Sequence, residues 1–172
     1  ARKKVRGTFL IREEPAPGQK PEPAKPTIAT AEELIYDEAQ RKATFRQSAR
    51  MDGPDGNITA ERIEIFLKED GNTLERAEAY GEVKASLGNN RVATGERLTY
   101  NAATRIYTMT GKPLTVRQQI EDKGAGGKIR CEKTEGASLT LNRSTDSIKV
   151  TGASGAQVRA VPVPCGAKPP IP

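Results

Sequence analysis

A short strand pattern recurs along this chain, and that internal repeat restricts the fold more than any other feature of the sequence. The apolar-x-apolar anchors Leu34, Ile63, Leu98 and Leu139 lie 29, 35 and 41 residues apart, so the loops vary in length while the strand unit persists. A period of two is typical of strands with one buried face. The repeats are ATAEELIYD (29–37), ITAERIEIF (58–66), VATGERLTYN (92–101) and, more loosely, EGASLTLN (135–142). We therefore expect stacked β units.

Each repeat also carries a second strand that a small residue interrupts. Ala49, Gly81, Gly111 and Gly152 take this position in the four repeats. A glycine inside a strand pattern indicates a bulge or a sharp bend. Turns rich in Asp, Asn and Gly, which tight hairpins favour, separate the strands: GPDGN (53–57), EDGN (69–72), LGNN (87–90) and NAAT (101–104). The sequence predicts an all-β fold with bent strands and little or no helix.

Proline-rich segments predict where the ordered body begins and ends. Residues 13–26 contain five prolines, a density that excludes a helix or a central strand. We expect an N-terminal segment with this linker (1–26), a β domain (27–161) and a proline-rich tail (162–172). No apolar run approaches the roughly 20 residues that a membrane helix needs.

The net charge of +6 is concentrated at the two ends of the chain. Residues 1–26 and 117–172 each carry +4, whereas residues 27–116 carry −2 with the two signs interspersed. No basic cluster is interleaved with aromatic residues, as it is in proteins that bind single-stranded nucleic acid. The distribution therefore argues against a nucleic-acid partner.

The sequence also argues against catalysis, cofactors and metals. The chain has no histidine, which removes the commonest general base and metal ligand. Asp52, Asp55, Glu69 and Asp70 fall in turn sequences, where acidic residues are expected for backbone reasons. We expect a protein without enzymatic activity, without a cofactor and without a metal site. Cys131 and Cys165 could form a bridge or remain separate thiols.

Alternation assigns faces to the central strands. If Ile63, Ile65 and Leu67 point inward, the odd positions of the next strand, 77–87, do so as well. One strand then offers bulky aliphatic side chains, and its neighbour offers mostly methyl groups. This arrangement suits either closely packed sheets or a slot left open for a flexible chain.

The order TAERIEI, AEAYGEVKA, ATGERLTYN and GKPLTV resembles the OstA-like domain of the bacterial lipopolysaccharide-transport proteins, and among them most closely the periplasmic bridge component. Residues 28–118 match well and 129–161 more weakly, whereas 1–26 do not match. The resemblance implies an open, twisted β-jellyroll of stacked V-shaped antiparallel strand repeats around an apolar groove. It also implies a periplasmic, non-enzymatic protein that holds lipid A acyl chains and joins homologous β-jellyroll domains end to end.

Alternation and the resemblance together predict a set of lipid-contacting residues on the inner face. Lipopolysaccharide, or another acylated lipid, would touch Phe45, Ile63, Ile65, Leu67, Val83, Leu98, Tyr100, Met109, Leu139 and Leu141. Met51 and Tyr107 alternate onto the same face, whereas Arg62, Glu64, Arg97 and Thr99 should face solvent.

Two alternatives to the lipid carrier remain at this stage. A structural β-repeat protein would have a filled interior, and an OstA-like module of an inner-membrane-anchored or outer-membrane transport subunit would bury its edges on a partner. An open stack leaves unpaired strand edges, which favour an end-to-end homo-oligomer. The proline-rich segments could instead fold over those edges and keep the chain monomeric.

Overall fold

The chain folds into an 11-stranded antiparallel sheet, which confirms the all-β prediction. The computed structural model describes residues 4–12, 17–88, 90–154 and 156–166. In these ranges there is no α-helix, and a single 3-10 turn lies at Lys123–Ala125. The strands are β1 (Val5–Ile11), β2 (Lys25–Ala31), β3 (Glu33–Asp37), β4 (Lys42–Gly53), β5 (Gly56–Leu67), β6 (Leu74–Leu87), β7 (Arg91–Asn101), β8 (Ile106–Asp122), β9 (Lys128–Asn142), β10 (Ser147–Thr151) and β11 (Ala160–Val163).

The sheet follows chain order almost throughout because short hairpin turns join consecutive strands. Its order is β1-β2-β4-β5-β6-β7-β8-β9-β10, with β3 paired to β4 and β11 paired to β9. β2 begins at Lys25, inside the proline-rich segment, and β11 extends past residue 161 into the predicted tail. Residues 13–16 and 167–172, which belong to these two proline-rich segments, lie outside the described residues.

Every long strand breaks its pairing register near its middle. Between β4 and β9 the shifts fall at Arg46/Ala49, Thr59/Arg62, Tyr80/Val83, Thr94/Arg97 and Thr110/Leu114. Extra residues at these points are β-bulges, which bend a strand and increase its twist. The expected bends at Gly81 and Gly111 are confirmed, and the bulge near Ala49 lies just before it. Gly152, by contrast, follows the end of β10.

Two of these bends require glycine. Gly81 has φ +77°, and a Cβ there would meet the Glu61 carboxylate at 2.2 Å. A Cβ on Gly111 would come 2.9 Å from the Cα of Gly95, so the backbones of β7 and β8 approach each other closely at their bends. Glycine supplies both the left-handed conformation and the missing side chain.

The bends divide the sheet into two arms, named here leaf A and leaf B. Leaf A contains residues 49–53, 56–59, 83–87, 91–94, 114–122 and 128–136, extended by β2 and β11. Leaf B contains 42–46, 62–67, 74–80, 97–101, 106–110 and 138–142, extended by β3 and β10. One face of each leaf is buried in a single hydrophobic cluster. The leaves therefore fold toward each other as a V, with the bends as the spine and the hairpin turns at the open side, named here the mouth.

Candidate functional site

Two rows of apolar side chains cross leaf B from one end of the stack to the other. Register pairing aligns the first row as Leu34, Phe45, Ile63, Ala79, Leu98, Met109, Leu139 and Val150. It aligns the second as Tyr36, Ala43, Ile65, Ala77, Tyr100, Tyr107, Leu141 and Ile148. The inner face of leaf B is thus a continuous apolar surface perpendicular to the strands.

Leaf A faces these rows with smaller side chains. Its central row is Ala29, Met51, Ile58, Ala85, Ala93, Val116 and Thr134. Three of these seven residues are alanine, whereas the leaf B rows carry Phe, Ile, Leu, Met and Tyr beside their own alanines. The buried side chains of both leaves belong to one hydrophobic cluster.

The predicted lipid-contacting residues all lie on this inner face, and all but one belong to leaf B. Val83 is the exception, in leaf A next to the bend of β6. Each of them is no more than 3% exposed to solvent. Alternation therefore places these residues on one buried face, and their contact with lipid stays a prediction. The interior they form is filled in this closed conformation.

Tyrosines mark the part of leaf B nearest the mouth. The rings of Tyr100 and Tyr107 stack with centroids 4.3 Å apart. Burial, reinforced by the neighbouring Tyr100 and the Asp55 carboxylate, raises the pKa of the Tyr107 hydroxyl far above its usual range. Tyr107 therefore stays protonated and neutral at any physiological pH.

The N-terminal half of the mouth is closed by β1, which the sequence placed apart from the β domain. β1 pairs with β2 on the side of leaf A, and its Leu10 N–H donates to the carbonyl of Asn72 at the tip of leaf B at 2.9 Å. Phe9 and Ile11 are buried in the common core. The Phe9 ring meets Phe45 edge to face, with centroids 6.1 Å apart. This closure is apolar.

The C-terminal half of the mouth is closed by ion pairs between turns. Asp55, in the β4–β5 turn of leaf A, lies 3.5 Å from Arg105 and 3.4 Å from Arg143, which belong to turns of leaf B. Arg91, at the start of β7 in leaf A, lies 3.2 Å from Asp146 in leaf B. These contacts join the tips of the two leaves across the opening.

The outer face of leaf B is polar, as alternation predicts for Arg62, Glu64, Arg97 and Thr99. The guanidinium groups of Arg62 and Arg97 lie over the Tyr80 ring, 4.4 and 5.2 Å from its centroid. Arg97 also reaches Glu78 at 3.7 Å. Arginine stacking and alternating charge are typical of a solvated sheet face.

A disulfide fastens the C-terminal strand to leaf A. Cys131 of β9 and Cys165 are bridged, which settles the alternative that the sequence left open. A cavity of about 590 Å³ lies on the outer face of leaf A beneath residues 163–166, with Lys84, Val92 and Arg117 in its lining. This cavity is separate from the apolar interior.

Sequence reasoning missed both closures of the mouth. Asp55 was explained by turn chemistry alone, and no pattern in the sequence connects it with Arg143, 88 residues away. The alternation of side chains in VRGTFLIR (5–12) is typical of a strand and could have predicted β1. Because the proline-rich linker separates this segment from the rest of the chain, its burial in the core was not predicted.

Two features of other functional classes are absent from the described part of the chain. It contains no group of three or more His, Cys, Asp or Glu side chains suited to a metal ion. Within the same residues, no helix has the length and apolar character required to cross a bilayer. The continuous apolar rows and the mouth beside them form the candidate site.

Bent strands, two leaves and an apolar interior define an open β-jellyroll. Residues 30–137 match the family model described as "LptA/(LptD N-terminal domain) LPS transport protein", and the chain belongs to that family. This match confirms the resemblance seen in the repeats. No curated protein matches the chain significantly.

A solved structure supports the same fold. The chain is similar to the crystal structure of LptH from Pseudomonas aeruginosa, described as the LptA homologous periplasmic component of the conserved lipopolysaccharide transport device. The TM-score is 0.63 at 14% identity, over 81% of this chain and 96% of that chain. At this identity the likeness shows the fold, an LptA-like β-jellyroll.

Proposed function

We propose that this protein is a non-enzymatic carrier that holds the acyl chains of lipopolysaccharide between its two leaves as part of a bridge across the periplasm. The observation that carries the proposal is the pair of continuous apolar rows on leaf B, which run the full length of the stack. Membership of a lipopolysaccharide-transport family supports the choice of lipid. The Cys131–Cys165 disulfide supports an oxidising compartment such as the periplasm.

The ends of the rows support passage between neighbouring domains. Side chains in the middle of each row are buried, whereas Leu34 and Tyr36 at the N-terminal end are 38% and 52% exposed. Val150 and Ile148 at the other end are half-buried. The apolar surface thus reaches both ends of the leaf, where a second β-jellyroll domain could continue it.

The lipid proposal can be tested with methionine, because Met51 and Met109 are the two methionines of the chain and both point inward. Photo-methionine incorporated at these positions should crosslink lipopolysaccharide when the protein is produced in cells that make this lipid and its start methionine is removed. The matched control carries M51L and M109L together with Thr108→Met, which moves the probe to the exposed face of the same strand. Adducts of equal yield from both proteins, or none from either, would count against lipid binding between the leaves.

The filled interior also favours a second candidate, a structural β-stack that binds no lipid. Predicted contact residues that are 0–3% exposed leave no room for an acyl chain unless the leaves separate. Mass spectrometry of organic extracts from the purified protein distinguishes the two functions. Extracts of a carrier should contain acylated lipid that stayed bound while the protein was washed. Extracts of a structural stack should contain no more lipid than extracts of a control protein.

End-to-end association would use the edges of leaf B. In the described residues β3 pairs only with β4, and β10 pairs only with β9. β11 covers part of β9 in leaf A, so leaf B offers the freer edges. Tyr36→Lys should abolish concentration-dependent oligomers in analytical ultracentrifugation, whereas Ile129→Lys, at an exposed apolar position of leaf A, should not. Oligomers unaffected by Tyr36→Lys would place the interface elsewhere.

A further inference from the structure

The cavity on the outer face of leaf A carries positive charge that no carboxylate in its lining balances. Its volume of about 590 Å³ lies within the range of small-molecule sites. Lys84 and Arg117 line it, and neither forms an ion pair within the described residues. Arg91 lines it as well, but its guanidinium group pairs with Asp146. The described lining contains no Asp or Glu, so the charges of Lys84 and Arg117 face this space uncompensated.

The register of the sheet places a like charge beside Arg117. Arg117 of β8 lies directly opposite Lys133 of β9, and like charges at directly opposite positions destabilise a sheet. Lys133 has its own partner, Glu135, at 2.6 Å. Proteins keep arrangements that cost stability mainly at functional sites. An anion bound from outside the chain would offset the repulsion at Arg117, so this pairing points to an anionic ligand.

Neutral polar groups and apolar surface complete the cavity. Ser86, Thr94 and Gln119 bring hydroxyl and amide groups, which both donate and accept hydrogen bonds. Val92 and Pro164 add apolar surface, and the segment that the disulfide fastens to β9 forms one wall. A sugar ring presents hydroxyl groups at its edge and C–H groups on its faces. The lining therefore suits a sugar that also carries a negative charge.

The cavity lies next to the C-terminal half of the mouth. Gly88, in the turn between β6 and β7, lines the cavity and donates its N–H to the Asp55 carbonyl at 3.2 Å. Arg91 lines the cavity and also reaches Asp146 of leaf B across the mouth. A saccharide is too polar to enter the apolar interior, because its hydroxyl groups would lose their hydrogen bonds there. The saccharide of a lipid held between the leaves would therefore emerge at the mouth, beside this cavity.

We propose that this cavity binds an acidic sugar in the saccharide part of the lipid whose acyl chains lie between the leaves. The inference rests on the proposed function. The planar fork of Arg117 binds the carboxylate or phosphate group of the sugar through a pair of hydrogen bonds, and Lys84 supplies a second positive charge. The neighbouring hydroxyl and amide groups bind the sugar hydroxyls. One lipid thus contacts leaf A on both faces, with its acyl chains on the inner face and its saccharide on the outer face.

The test measures binding of the acidic oligosaccharide that mild acid releases from lipopolysaccharide, free of its acyl chains. Calorimetry at low ionic strength, where exposed charges are least screened, compares it with a neutral dextran fragment of equal length and with inorganic phosphate. The full chain should bind the acidic oligosaccharide on the order of tenfold more tightly than either comparison ligand. Arg117→Gln should remove this preference. Arg97→Gln removes the same charge from the outer face of leaf B and should keep it.

Thermal unfolding of the same variant separates a binding role from a structural one. Arg117→Gln removes the like charge opposite Lys133, so its Tm should equal or exceed that of the wild-type protein while its affinity falls. A clearly lower Tm would show that Arg117 supports the fold. In that case Lys84→Gln decides, because this residue lies on a different strand and should weaken binding several-fold. Unchanged affinity in Lys84→Gln would overturn the site.

The outcomes also separate this inference from the proposed function. Equal affinity for inorganic phosphate would show that the sugar contributes nothing, and equal affinity for a glutamate-rich peptide would assign the cavity to an acidic peptide. Either result overturns the sugar site. No binding of the oligosaccharide, with crosslinks from Met51 and Met109 retained, would refute the site and leave the carrier intact. Binding that depends on Arg117, without those crosslinks, would keep the sugar site and refute the carrier.

Discussion

Different interactions close the two halves of the mouth. In the N-terminal half, β1 places Phe9 and Ile11 in the core and bonds its backbone to the tip of leaf B. In the C-terminal half, partly exposed ion pairs join the tips. Salt does not screen apolar burial, whereas it does screen ion pairs near water. We therefore expect the C-terminal half of the mouth to open more readily than the N-terminal half, which β1 closes.

The largest effect should follow from breaking the apolar closure. Phe9→Ala removes a ring that is only 8% exposed and packs on Phe45, so the free energy of unfolding should fall by about 3–5 kcal/mol. Phe66→Ala, on the outer face beneath Arg76, should have a much smaller effect. Urea denaturation gives both values. Equal losses for the two variants would mean that β1 does not close the core.

Overpacking the same closure should have the next largest effect. A Cβ on Gly7 would lie 2.9 Å from Phe45 Cζ and from the Phe9 ring, which is closer than real Cβ contacts allow. Gly7→Ala should therefore lower the free energy of unfolding by about 1–3 kcal/mol. The control is Gly124→Ala, whose new Cβ would come no closer than 3.5 Å to a neighbour. A stabilised Gly7→Ala protein would contradict this packing.

Breaking the ionic closure should have a smaller effect that depends on salt. Asp55→Asn should lower the free energy of unfolding by about 1–2 kcal/mol, between the values of exposed and fully buried pairs. In roughly 1 M salt the difference from wild type should shrink, because the Debye length falls to about 3 Å. Phe9→Ala should keep its full effect in the same salt. A difference for Asp55→Asn that persists undiminished would show that the contact is not mainly ionic.

The smallest effect should be a loss of stabilisation of the Asp70 turn at low pH. The Thr73 hydroxyl and the backbone N–H groups of Thr73 and Asn72 donate to Asp70 and lower its pKa to about 2. Because this pKa is depressed, the carboxylate stabilises the turn above about pH 4, and that contribution is lost as the pH falls toward 2. NMR shifts of Asn72, whose carbonyl accepts from Leu10, should follow this titration. In Asp70→Asn the titration should disappear, and its persistence would assign it to another group.

Sequence patterns could predict the faces of the strands because alternation is a local property. Ile63 and Ile65 sit opposite Ala79 and Ala77 through hairpin pairing that the turns nearly dictate. The repeats likewise predicted the bend at Gly81, since glycine adopts its left-handed backbone conformation (φ +77°) without strain. The fold class followed from these local signals and from the family resemblance.

Contacts between distant segments could not be predicted in this way. Whether the leaves pack or stay apart depends on how far the bends fold, which no single strand specifies. The pairing of Cys131 with Cys165 depends on β11 lying beside β9, and the contacts of Asp55 depend on three turns meeting at the mouth. These features arise from the three-dimensional arrangement, so local sequence patterns do not reveal them.

The rows on leaf B also set a length scale. The row from Leu34 to Val150 crosses eight neighbouring strands, and the seven spacings between them, at about 4.8 Å each, give a length of roughly 34 Å. The hydrocarbon core of a bilayer is about 30 Å thick, so one acyl chain of a single leaflet spans about half of that. A chain laid along the row would therefore occupy about half of it. If the leaves separate, one such row is long enough for two chain lengths end to end, which would let lipids follow one another in single file.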